Sequence, residues 1–212
     1  MTGRRDFLRT AAATLAVTGV GVAALPSTPE AEDALMPRDR SPSAAPDERE
    51  PAVTTEDDSP YAVWQYKPTG DGHVPTSPIN VVFPLASSDR GLTDVMAVLD
   101  RVGWRSAPIE YVRYAWHRER EEYELQQATA AEAFYGTVGR RHVRCWELEG
   151  AVSMQAHEDT AATPNHGIES YRRAQRRVEY LFDDAGWTVD GTVRFANEKS
   201  PDHDGHVTVI RP

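Results

Sequence analysis

From residue 61 onward the apolar and polar positions change period in blocks, and each block predicts an element. Residues 79–83, Ile-Asn-Val-Val-Phe, form a short apolar run between Pro78 and Pro84 and read as a buried strand. Leu92, Val95, Met96, Leu99 and Val102 recur at helical spacing. Ser88 is placed to cap that helix and Gly103 to stop it, with Trp104 opening the next segment. Residues 109–116 alternate well enough for a strand. Residues 117–133, rich in Glu, Arg, Gln and Ala, fit either an exposed helix or a mobile excursion.

The clearest alternation lies at 142–148, His-Val-Arg-Cys-Trp-Glu-Leu. It puts Val143, Cys145 and Glu147 on one face and Arg144, Trp146 and Leu148 on the other. Glu149-Gly150 turns the chain and residues 151–157 return, which predicts a hairpin. After a loop containing Pro164, Ser170 caps a long helix with the inner stripe Tyr171, Ala174, Val178, Leu181, Phe182 and Ala185. Gly186 stops it. Asp190-Gly191 reads as a turn between strands at 188–189 and 192–196, and residues 205–210 supply a last strand. Both helices end in Gly-Trp, at Gly103-Trp104 and Gly186-Trp187, and each glycine suits the left-handed position after a last turn. A duplicated helix-Gly-Trp-strand unit and independent arrival at a good helix stop both account for the match. The predicted fold class is α+β: a mixed or antiparallel sheet with two main helices packed on it. One domain of residues 61–212 is long enough for a single hydrophobic core.

The first sixty residues follow other rules. Residues 26–60 hold seven prolines, no aromatic residue, and mostly Ser, Thr, Asp, Glu and Ala. Such a stretch buries too little apolar surface to offset ordering entropy, so it is expected to be a disordered, acidic, Pro/Ser-rich tether. Residues 1–25 place Arg4-Arg5 and Phe7-Leu8 before an uncharged run. They resemble a twin-arginine (Tat) signal and are short for a bilayer span. The resemblance implies the Tat machinery as a partner and a location outside the cell or at its surface. It leaves membrane contact only through an uncleaved signal. No cysteine lies near it for lipid attachment.

Charge sharpens this picture. The formal net charge is −10, and removing residues 1–24, with three arginines and one acid, takes it to −12. Lys67 and Lys199 are the only lysines. Surplus carboxylate with arginine in place of lysine points to a halophilic, haloarchaeal protein, with an acidic exported protein of a high-GC mesophile as the alternative. It argues against a nucleic-acid or anionic-membrane partner, which needs a basic footprint. The single cysteine, Cys145, permits no intramolecular disulfide and reads as a small buried residue in mid-strand.

Two groups of side chains are candidates for chemistry. His157, His166, Asp202, His203 and His206 offer nitrogen and oxygen ligands, which would hold zinc or a similar ion and activate water if they converged. Their spacing matches no established metal motif, and no cofactor fingerprint or nucleophile elbow is present. Arg172 and Arg176, at the start of the second helix, with Arg140 and Arg141, are candidates for an anion-binding face. Ion pairing to the acidic surface is the competing account, and Glu169 is spaced to pair with Arg173.

Four stretches carry a family resemblance: Pro78-Ile-Asn-Val-Val82 with its helix and Gly103-Trp104; Phe134-Tyr135-Gly136 leading to Arg140-Arg-His-Val-Arg-Cys-Trp146; residues 151–160; and Asn165-His-Gly-Ile168. Together they resemble the LssY C-terminal-like domain family over residues 78–187. The resemblance implies an envelope-associated module and brings no established reaction. The favoured expectation is therefore an exported binding or scaffolding module, not an enzyme. The alternative is a metal-dependent hydrolase built on the His/Asp cluster, and convergence of the histidines in space discriminates between them.

Overall fold

The computed structural model describes residues 52–106, 111–160 and 167–212. The signal, Arg4 and Arg5 included, most of the predicted tether, and His166 lie outside the described residues. The strands are β1 (Val53–Thr54), β2 (Trp64–Thr69), β3 (Gly72–Pro78), β4 (Val81–Pro84), β5 (Arg105–Ser106), β6 (Tyr114–His117), β7 (Glu122–Leu125), β8 (Ala128–Ala131), β9 (Arg141–Leu148), β10 (Ala151–Asp159), β11 (Ile168–Ser170), β12 (Thr188–Phe195) and β13 (His206–Arg211). The helices are α1 (Leu92–Arg101) and α2 (Tyr171–Asp184). The class is α+β.

The main sheet is mixed and runs β1-β12-β13-β4-β10-β9-β8-β5, with β11 added to β10. Only β1–β12 and β13–β4 pair in parallel; every other described pairing is antiparallel. A second sheet, β3-β2-β6-β7, comes from residues for which the apolar pattern predicts little. Each face of the main sheet buries its own core. On one face Val81, Phe83, Val143, Cys145, Val152, Met154 and Ala156 pack against Val95, Val98 and Leu99 of α1 and Ala174, Val178 and Phe182 of α2. On the other, Val82, Trp146, Leu148, Phe195, Val207 and Val209 meet Ala62, Val63 and Ala115 from the second sheet and the segment before it.

The β9–β10 hairpin is as expected, with Glu149 (φ 53) and Gly150 (φ 75) both left-handed, as a two-residue turn of this hand requires. The two helix stops are structural equals. Trp104 N–H donates to Leu99 O at 3.0 Å and Gly103 N–H to Asp100 O at 2.9 Å; Trp187 and Gly186 repeat this to Phe182 O at 2.9 Å and Asp183 O at 3.0 Å. Gly103 (φ 87) and Gly186 (φ 84) are both left-handed. The strands that follow differ: β5 has 2 residues and β12 has 8.

Four expectations need correction. Ser88 does not cap α1: its hydroxyl closes on Leu85 O at 2.9 Å, and the cap is Gly91, whose N–H donates to the Asp94 carboxylate at 3.0 Å. Residues 117–133 are neither a helix nor an excursion. Their polar composition hides a two-stranded alternation, in which Tyr123 pairs across from Trp116 and packs edge-on to it before β8 rejoins the main sheet. Asp190-Gly191 is not a turn. β12 continues through it, and the two residues form a bulge opposite Val209, with Gly191 at φ 80. Finally, β1 lies within the stretch expected as tether, so folded chain begins before residue 61.

Candidate functional site

A two-residue turn pairs each residue of β9 with the residue equally far along β10. His142 therefore faces His157 and Arg141 faces Glu158, and Arg140 lies opposite Asp159, whose N–H donates to its carbonyl at 2.8 Å. Alternation then sends Arg141 and Glu158 to the helix face, and Arg140, His142, Arg144, Gln155, His157 and Asp159 to the opposite face. The sheet thus carries two buried polar groups, one on each side.

On the face away from the helices, Arg140 Nε donates to Asp159 Oδ2 at 2.8 Å and His157 Nε2 lies 3.0 Å from Asp159 Oδ1. His142 Nδ1 sits 3.4 Å from an Arg140 Nη and 3.9 Å from Asp159 Oδ2. The two imidazoles meet edge-on at 4.2 Å. Gln155 Oε1 accepts from Arg144 and faces His157 Nδ1 at 3.0 Å, so both His157 ring nitrogens face acceptors. Gln65 of β2 reaches the same Arg144. Burial, then the neighbouring His157, holds the His142 pKa well below the ordinary histidine value. Burial pushes the Asp159 carboxyl up, but hydrogen bonds from His142 and His157 outweigh it and hold the group well below the carboxylate range. The ligating atoms of His142, His157 and Asp159 all lie within 4.8 Å of one another, and all three residues are buried.

On the helix face the charges alternate along one chain. Arg173 Nη2 meets Glu158 Oε1 at 2.8 Å, Arg141 Nε meets Glu158 Oε2 at 3.1 Å, Arg141 Nη1 meets Glu132 at 3.2 Å, and Arg177 meets Glu132 at 3.1 Å. Glu169 pairs with Arg173 at 3.5 Å, as its spacing predicts.

The described members of the candidate metal set, His157, Asp202, His203 and His206, are dispersed. Asp202 caps α2: its carboxylate accepts from the Ser170 hydroxyl at 2.5 Å and the Tyr171 N–H at 2.8 Å. His203 Nε2 donates to Asn197 Oδ1 at 2.9 Å, and the Asn197 amide holds the carbonyls of Val63 and Ile79. His206 pairs with Asp204 at 3.1 Å. Among the described members only His157 joins a convergent group, and its partners are His142 and Asp159. That pairing was legible in principle, because the turn at 149–150 fixes the register of the hairpin. The four arginines do not share a face either. Arg140 and Arg141 point to opposite sides of the sheet, Arg172 meets Asp204 at 2.6 Å, and Arg176 is exposed on α2. Cys145 is buried, and burial pushes its thiol pKa up, away from thiolate chemistry.

A groove of about 580 Å³ opens on the helix face, between α1 and β8. Thr93, Met96 and Asp100 line one wall, Gln126, Ala128 and Ala130 the other, with Trp104 and Ser106 also contributing. Its size is in the range of small-molecule sites. No family model matches the chain, and no curated protein or solved structure matches it either.

Proposed function

We propose that the protein is an exported, envelope-associated binding module that works through the groove between α1 and β8. One observation carries this reading. The convergent His142, His157 and Asp159 and their Arg140 are consumed on one side of the sheet, in contacts with each other, while the ligand-sized groove lies on the other side and is lined, among the described residues, by no histidine, cysteine or basic residue. Export rests on the twin-arginine-like start, and envelope association on the resemblance of residues 78–187 to the LssY C-terminal-like family. Among the described residues no helix is long and apolar enough to cross a membrane. Cell fractionation followed by mass spectrometry of the native product tests the location. The expected product is found outside the cytoplasm, either cleaved near residue 24 or retaining its signal; a cytoplasmic product with Arg4 and Arg5 still attached overturns the proposal.

The metal-dependent hydrolase is the second reading, favoured by the convergence of His142, His157 and Asp159. A catalytic zinc needs an open coordination position beside a substrate cavity. Here the three residues are 2–3% exposed and the Arg140 guanidinium already supplies the cation at the carboxylate. Elemental analysis of the purified protein decides between the readings: stoichiometric zinc favours the hydrolase, and its absence after growth in zinc favours the module.

A further inference from the structure

Folded proteins pair nearly all of their buried polar atoms, so those left over call for an explanation. Trp104 is 2% exposed and Gln126 is 4% exposed. Among the described residues the Trp104 indole N–H and both ends of the Gln126 side-chain amide have no hydrogen-bond partner. Both residues line the same groove. The neighbouring glutamine shows that this is not a general habit of the segment. The Gln127 amide accepts from the Glu147 N–H at 3.0 Å and donates to the Glu147 carbonyl at 3.3 Å, pairing with the backbone of β9 as a peptide unit would. Gln126 has its backbone N–H bound to Arg113 O at 2.9 Å, which fixes the residue, while among the described residues its buried side-chain amide has no partner.

We infer that the groove binds an uncharged amide: an N–H and C=O pair carried on a compact apolar body. The inference rests on the binding-module reading and names its ligand. A primary carboxamide sets an N–H donor beside its carbonyl acceptor, and an amide, with its own N–H and C=O, meets both. The indole N–H adds a second donor for a carbonyl. Met96, Ala97, Ala128, Ala130 and the Trp104 ring supply apolar wall. Among the described residues that line the groove Asp100 is the one charged residue, so an anion meets a carboxylate on that wall. Leaving such groups unmet destabilises the free protein, and a matching ligand recovers that loss.

The test uses the full chain labelled with ¹⁵N. Its 5 tryptophans give five indole N–H signals, and Trp104→Phe identifies the one in the groove. Two probes present the same chemistry from different sources: N-acetyl-leucine N′-methylamide for a peptide segment, and caprolactam for a small cyclic amide. The expected result is a saturable movement of the Trp104 signal with at least one probe, and the tighter of the two names the source. Gln126→Leu, nearly the same size, is expected to weaken that binding roughly tenfold, for the loss of two neutral hydrogen bonds. Its other four indole signals are expected to hold and its thermal midpoint to hold or rise, which separates lost binding from lost fold. If neither amide moves the signal but acetate or glucose does, the amide inference is overturned and the groove remains a binding site. If none of these probes moves it, the amide inference and the binding-module reading both fall.

Discussion

Single side chains near the C-terminus have structural duties that their residue types do not announce. Asp202 reads as a metal ligand in isolation, yet it accepts bonds from the first residues of α2 and does the work of an N-cap beside Ser170. Asp202→Ala is expected to lower stability by about 1–2 kcal/mol, measured by urea unfolding, without changing any metal content. His203 is buried between Asn197 and the ring of Tyr171. Burial brings its pKa down from 6.5 to about 4. Between those values the unfolded chain takes up a proton that the folded chain refuses, so stability falls as pH drops from 6.5 towards 4 and levels below. The size is on the order of 3 kcal/mol. Buried His142 acts in the same direction. His203→Gln is expected to flatten this part of the curve, read by urea midpoints at pH 7 and 4.5.

Elements were legible where a local rule fixes them. Tyr171 to Phe182 spaces its apolar residues for α2, and the alternation of β9 separates its two faces. The paired helix stops belong to this scale. An added Cβ at Gly103 or at Gly186 meets nothing within 4 Å, so only the left-handed backbone opposes a side chain there. Gly103→Ala and Gly186→Ala are each expected to cost about 1 kcal/mol and to match one another in thermal unfolding. Unequal costs would show that the two stops are not energetic equals. The elements that escaped detection did so for a physical reason. Strand β7 sits in a small sheet whose aromatics Tyr66, Trp116 and Tyr123 pack on one another rather than in the main core. Their polar neighbours Glu122 and Glu124 then dominate the local composition.

At the scale of the molecule, two buried charge groups back onto one sheet, and the one on the helix face ties α2 to it. Removing one partner of a buried ion pair strands the other. Arg141→Met is therefore expected to cost about 3–5 kcal/mol, checked by chemical denaturation, because Glu158 loses one of its two described cation partners. What the sequence determined alone is what depends on neighbours in the chain: the helix periods and their glycine stops, the hairpin turn, the acidic surplus, and the twin-arginine pattern of the first residues. What the tertiary structure decided is which distant groups share a face. It sent Asp202 to a helix end, and among the described residues it left the buried Trp104 indole N–H and Gln126 amide unpartnered beside a groove. Hydrogen bonding and desolvation act over a few ångströms of space, and residues from separate elements meet at that distance only after the sheet has set their register.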